Sequence, residues 1–205
     1  MRHINKCMPP KGFQAFAAQQ KRGDWNAVYQ QQGLLAEVHD ALWQEQEGLS
    51  GYTEKPLSGR VHADHFRKRS LFGSKADVFD WNNLIADDQT EHYGAKAKDK
   101  FVRTKEQNGL LINPVAEDPH EYLTYTSNGR MRARDGLTDQ QQAKADYTIE
   151  AFNLNDHVLV ECRNMIIQQI KQMAQLSDQD LVATMAGVGF PSVVEYAISV
   201  RNILK

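Results

Sequence analysis

Apolar residues return at helical spacing from Trp25 through Val28, Leu35, Val38, Leu42 and Trp43, with Asp24 as a cap before them and Gly48 after. That pattern predicts a long helix over about 24–47, weakened in its middle by Gly33. Before it, Pro9-Pro10 and Gly12 predict irregular chain over 1–23. After Gly48 the period shortens. Ser50–Glu54 and Arg60–Asp64 read as the two strands of a hairpin joined by Lys55-Pro56-Leu57-Ser58-Gly59. Asp80–Ile85 reads as the approach to a helix over Thr90–Phe101. Leu110–Ile112 and Tyr122–Tyr125 read as short strands, and Asn128-Gly129 as a turn. The last third predicts helices: one over Asp139–Phe152, one opened by Asn155 or Asp156, one after Ser177, and one from Pro191 to Leu204-Lys205.

The expected fold class is therefore α+β, mainly helical, in three segments. Residues 1–47 form an N-terminal segment with the long helix, 48–105 a compact unit of hairpin and helix, and 106–205 a mixed and then helical region. Composition agrees with an ordinary globular chain, 41% hydrophobic and 24% charged over 205 residues. No apolar run reaches the roughly 20 residues of a membrane span. The N-terminal M-R-H-I-N-K-C-M-P-P carries no apolar leader core, so a cytoplasmic location is expected. Cys7 and Cys162 are the only cysteines, which excludes a disulfide framework and a thiolate zinc site.

Net charge is −2 and by itself points to no partner. Its distribution is more informative: Arg60, Arg67, Lys68, Arg69 and Lys75 crowd one half of the central segment, and Lys96, Lys98, Lys100, Arg103 and Lys105 follow it. Local positive charge suits a phosphate backbone. Inside this basic frame lies H-A-D-H, with His65 as a candidate general base and Asp64 as a hard oxygen ligand for Mg²⁺ or Mn²⁺. Strand alternation puts His62 and Asp64 on one face and His65 on the other. Asn83, in D-W-N-N-L, is a candidate to orient His65, and His92 to complete the metal ligands with Asp64. Arg67, Lys68, Arg69 and Lys96 are the candidate phosphate contacts. The ordinary alternatives are an exposed hairpin edge for H-A-D-H and a helix cap for Asn83.

These residues resemble the HNH endonucleases of Septu-type and retron-associated anti-phage systems, the PtuB-like family. G-L-S-G-Y-T-E, H-A-D-H-F and D-W-N-N-L resemble its central motif. The opening R-H-I-N-K and the later N-L-N-D-H-V-L-V-E-C-R resemble its ends, so the similarity covers most of the chain. The resemblance implies a ββα-metal (HNH) finger embedded in an α-helical scaffold. It implies a metal-dependent endonuclease in which His65 activates water, Asn83 orients His65, and one divalent cation sits on Asp64 and His92. It also implies an anti-phage role with an ABC- or SMC-like ATPase partner (PtuA-like), for which the helical third is the candidate docking surface. One departure stands out. Where the family carries two C-x-x-C pairs around a structural zinc, this chain has Ser50, Thr53, Asp88 and Glu91, so no structural zinc is expected. Hydrogen bonds from Ser50 or Thr53 to Asp88 or Glu91 would take its place. Two other functions stay open: an inactive HNH-like binding or regulatory subunit, and a ribonuclease acting on tRNA rather than DNA.

Overall fold

A computed structural model describes residues 1–59 and 61–203; Arg60 and the expected helix end at Leu204-Lys205 lie outside the described residues. The architecture is α+β and mainly helical, as expected, with two small sheets.

Residues 1–23 are not irregular throughout. Helix α1 (Lys11–Gln19) starts directly after Pro10, and buries Phe13 and Phe16 one turn apart. A proline blocks a helix from within but suits its start, because it needs no amide partner there. The expected long helix is two helices, α2 (Asn26–Tyr29) and α3 (Gln32–Glu45), with Gln31 off helical geometry at φ −114° and ψ 86°. The break lies in the Gln30-Gln31-Gln32 run, which has no apolar side chain to hold it on the core. Two separate axes let Trp25 and Val28 pack beside Leu34, Val38 and Leu42. Trp43, expected on the buried stripe, is exposed.

The central pairing differs from the expected hairpin. Strand β1 (His62–His65) pairs antiparallel with β2 (Leu84–Asp87), eighteen residues further on, in the register His62 with Asp87 and His65 with Leu84. Ser50–Glu54 is a turn, tied off by one bridge between Leu49 and Pro56. The Ser50 hydroxyl explains it, accepting from the amides of Tyr52 and Thr53 at 3.2 and 3.1 Å and so offering the backbone a partner other than a strand. Between the strands lie α4 (Lys75–Val78) and a single 3₁₀ turn at Trp81–Asn83; Asp80–Ile85 thus leads into a strand and not a helix. The next helix, α5 (Ala95–Phe101), begins five residues later than expected.

Helix α6 (Lys105–Gly109) precedes the second sheet, formed by β3 (Leu123–Tyr125) and β4 (Met131–Ala133) across the expected Asn128-Gly129 turn. Leu110–Ile112 is no strand, since the Ile112 amide donates instead to Thr148 Oγ1 at 2.9 Å. Four helices close the fold: α7 (Asp139–Ala151), α8 (His157–Gln172), α9 (Asp178–Thr184) and α10 (Pro191–Ile203). Thr138, Asp156 and Ser177 cap the first three with their side chains. Among the described residues no helix is long and apolar enough to cross a membrane.

Two hydrophobic clusters result, and β2 divides them. Leu84 and Ala86 belong with Trp25, Val38 and Leu42 of the N-terminal helices, while Ile85 belongs with Tyr52, Phe152, Leu159 and the C-terminal helices. Successive strand residues point to opposite faces, so four residues hold both halves. Leu84→Ala is expected to cost about 2–5 kcal/mol and Ile85→Val about 0.5–1.5 kcal/mol in urea unfolding. The two losses should add in the double variant, because the side chains enter different clusters.

Candidate functional site

The β1 end of the first sheet forms one wall of a cleft of about 370 Å³, lined by His62, Asp64, His65, Lys68, Arg69, Ser70 and Asp99. Strand β1 supplies the two histidines and Asp64, the loop after it the basic residues, and α5 the acidic rim.

His65 is buried, with its ring edge-on to Trp25 at 4.6 Å. Its Nε2 lies 2.9 Å from the Val78 carbonyl oxygen. A carbonyl only accepts, so Nε2 carries the proton and Nδ1 carries the lone pair. Nδ1 makes no hydrogen bond among the described residues. Burial pushes the imidazole down to about 4, against the opposing pull of the Val78 hydrogen bond and Asp64. The ring is thus neutral at pH 7, in the tautomer that leaves Nδ1 basic.

Asn83 does not bond the imidazole. Its Oδ1 accepts from the Arg67 amide at 2.6 Å and its Nδ2 donates to the Asp77 carbonyl at 2.9 Å. It closes the loop between the strands at both ends. Asp77 precedes Val78, so Asn83 touches the segment whose carbonyl holds His65 but not His65 itself.

Asp64 is buried on the opposite face of β1. Its Oδ2 accepts from Tyr52 Oη and from Lys98 Nζ, each at 2.5 Å. Burial, the largest single effect, works against its charge, but the Lys98 ammonium together with the Tyr52 hydroxyl and His62 outweighs it and holds the carboxyl below the usual range. Asp99 is raised instead, by burial and by Asp64 nearby. Sequence reasoning missed Tyr52, Lys98 and Asp99 as site residues. The only available signal was Lys98 at one position among many in a lysine-rich helix.

The remaining nominated residues divide. Lys68 and Arg69 line the cleft; Lys68 Nζ also donates to the carbonyls of Asp99 and Val102, at the end of α5. Arg69 is exposed and makes no hydrogen bond or ion pair among the described residues. Arg67 is paired with Asp77 at 3.1 Å and Asp80 at 2.9 Å, and Lys96 with Glu91 at 2.5 Å; neither lines the cleft. His92 is exposed in the bend before α5, not on the helix, and is also outside the cleft lining.

The expected divalent cation is therefore poorly matched by the donors. Among the described residues no three His, Cys, Asp or Glu side chains converge as a metal-ligand group. Asp64, the best candidate ligand, already holds an ammonium.

At the four positions where the resembled family has cysteines, one cross-link forms, and with a different partner. Ser50 Oγ donates to Asp87 Oδ1 at 2.5 Å, and Asp87 Oδ2 accepts from the Ala95 amide at 2.7 Å. Asp88 and Glu91 do not join it: Asp88 Oδ1 accepts from Thr90 N, and Glu91 pairs with Lys96 and Lys100. Gly94, at φ +71°, lets the chain pass so close that a Cβ there would lie 2.4 Å from Asp87 Oδ2. Asp87 thus ties the 50–53 turn, β2 and the start of α5 together.

No protein-family model matches the chain, and no curated protein matches it.

Burial raises the Asp87 carboxyl to about 7, opposed by its bonds from Ser50 and Ala95. A carboxyl whose folded value exceeds its unfolded one contributes stability below the unfolded value and loses it as pH rises through the folded one. Between about pH 5.5 and about pH 8 the wild type is expected to lose about 2 kcal/mol relative to Asp87→Asn, measured as paired denaturant curves. Equal pH dependence of the two proteins would rule this out.

Proposed function

We propose that the chain hydrolyses phosphodiester bonds in nucleic acid as an HNH-like endonuclease. The observation that carries this is the fixed tautomer of His65. Its Nε2 is committed to the Val78 carbonyl while its ring lines a cleft with the unpaired guanidinium of Arg69. In this reading Nδ1 takes a proton from water, the water oxygen forms a bond to phosphorus, and the bond to the leaving oxygen breaks with that oxygen protonated by solvent. Arg69 and Lys68 balance the charge that gathers on the phosphate oxygens. The ββα order of β1, β2 and α5 is compatible with the finger that the sequence resembles, and a role in anti-phage defence rests on that resemblance alone. The partner in this reading is an ABC- or SMC-like ATPase. Val182 and Val188, large apolar side chains exposed on and after α9, support the helical third as its docking surface.

A second reading has its own support. Asp64 is capped by Tyr52 and Lys98, and His92 stands outside the cleft, as in a module that binds nucleic acid without cutting it.

The test assays plasmid DNA and bulk tRNA with the chain alone and with a candidate ATPase. Wild type is expected to cut. His65→Gln, with its circular dichroism and melting curve checked, is expected to lose about two to four orders of magnitude in rate. Arg69→Ala is expected to keep the fold, raise KM and reduce the dependence of binding on salt by about one phosphate contact. Binding without cutting, unchanged in His65→Gln, would favour the non-catalytic module. The same gel names DNA or RNA as the substrate.

A further inference from the structure

Lys98 is the most deeply buried cation of the central region, at 0% exposure, and its surroundings form a complete cage. Its Nζ donates to Asp64 Oδ2 at 2.5 Å and to the His65 carbonyl at 2.8 Å. Asp99 Oδ1 lies 3.3 Å away as an ion-pair partner, a buried oxygen that itself makes no hydrogen bond. The Tyr52 ring lies beneath the ammonium at 5.8 Å, and the Tyr52 hydroxyl completes the shell of the same Asp64 oxygen. An ammonium has three protons to place; two are hydrogen-bonded here, and the third oxygen nearby is the ion-paired Asp99 carboxylate. Two carboxylates and a backbone carbonyl are also hard oxygen donors of the kind a divalent ion takes.

The helix that carries Lys98 is itself fixed. Asp87 holds the Ala95 amide at its first turn, and Lys68 holds the carbonyls of Asp99 and Val102 at its end. The ammonium is thereby tethered at its oxygens. A dissolved ion would have to displace it and leave a buried lysine unpaired, which is strongly unfavourable.

We propose that Lys98 is the resident cation of this site, standing at Asp64 where a divalent ion would otherwise bind, so that the folded chain needs no metal there. Removal of the ammonium turns the same oxygens into a site for one hard divalent cation of the Mn²⁺ or Mg²⁺ class. Lys98 does not reach the substrate; it is a positioning residue, bonding the carbonyl of His65 and the side chain of Asp64 at once. Its catalytic consequence rests on the hydrolytic reading above, but the binding consequence does not.

The experiment measures Mn²⁺ binding by electron paramagnetic resonance on the full chain. Wild type is expected to take up no stoichiometric Mn²⁺. Lys98→Met is expected to bind one ion per chain about tenfold or more tightly than wild type, and to lose it on adding Asp64→Asn. One tightly held ion in wild type, lost in Asp64→Asn, would overturn the proposal, as would a folded Lys98→Met that binds none. Should Lys98→Met fail to fold, wild type alone decides: the Lys98 ammonium is expected to give a protected ¹⁵N-detected signal that excess Mg²⁺ leaves unchanged. Loss or displacement of that signal by Mg²⁺ would refute the assignment. Cleavage by wild type that persists in EDTA supports the proposal, and cleavage abolished by EDTA overturns it. A chain that cuts under no condition refutes the hydrolytic reading, while the Mn²⁺ and ammonium results still decide the role of Lys98.

Discussion

The buried pair of Asp64 and Lys98 is the contact on which the site's geometry depends. Its carboxylate belongs to β1 and its ammonium to α5, so the pair sets how far the helix stands from the sheet. Because Lys98 also binds the His65 carbonyl, the position of His65 is coupled to the same ammonium. Taking two charges out of water is costly, and their attraction offsets that only when the geometry is good and the other donors are satisfied. Here Tyr52 and the His65 carbonyl meet that condition. A second buried carboxylate, Asp87, has no cation among its hydrogen-bond partners and relies on a hydroxyl and an amide; its affinity for protons rises accordingly. The two aspartates, both next to α5, show how one kind of side chain takes opposite charge behaviour from its neighbours.

The sheet that carries the site is also the seam between the two hydrophobic clusters. With Leu84 and Ala86 packed one way and Ile85 the other, β2 cannot slip by one residue without turning both faces inside out. The register that puts His62 opposite Asp87 and His65 opposite Leu84 is therefore fixed by packing far from the cleft. Such packing explains how a site built on only two strands of four residues each can be held rigidly, since an isolated two-stranded sheet is marginal in water.

Much of the C-terminal half was legible because its signals are local. Asp156, one of the two expected openers, and Ser177 cap their helices, the helix expected from Asp139 starts there, and Asn128-Gly129 turns the second hairpin. The first sheet was not legible, because its partners are separated by eighteen residues of loop and short helix, and the nearer segment at 50–54 offered a false partner. What disqualified that segment is the Ser50 hydroxyl, which satisfies the amides a strand would need. The candidate site was legible in part. H-A-D-H singled out His65 and Asp64, which the fold places on one cleft, but a lysine inside K-A-K-D-K looks in sequence like any solvated helix face. Only the fold shows that Lys98 points inward while Lys96 and Lys100 pair with Glu91 at the surface.

Asn83 shows why residue type did not give the contact. An amide can both accept and donate, which made it a natural partner for an imidazole. In the fold those two capacities serve the backbone, joining Arg67 to Asp77 across the base of the loop. The imidazole is held instead by a group that only accepts, which puts the proton on Nε2 and fixes its tautomer with less ambiguity than an amide that can turn over. Val78 supplies that carbonyl from α4, and Ser74 caps the same helix. Asn83 thus holds Asp77, and the next residue, Val78, holds His65. The burial against Trp25 that keeps the ring neutral also keeps water from competing for that bond.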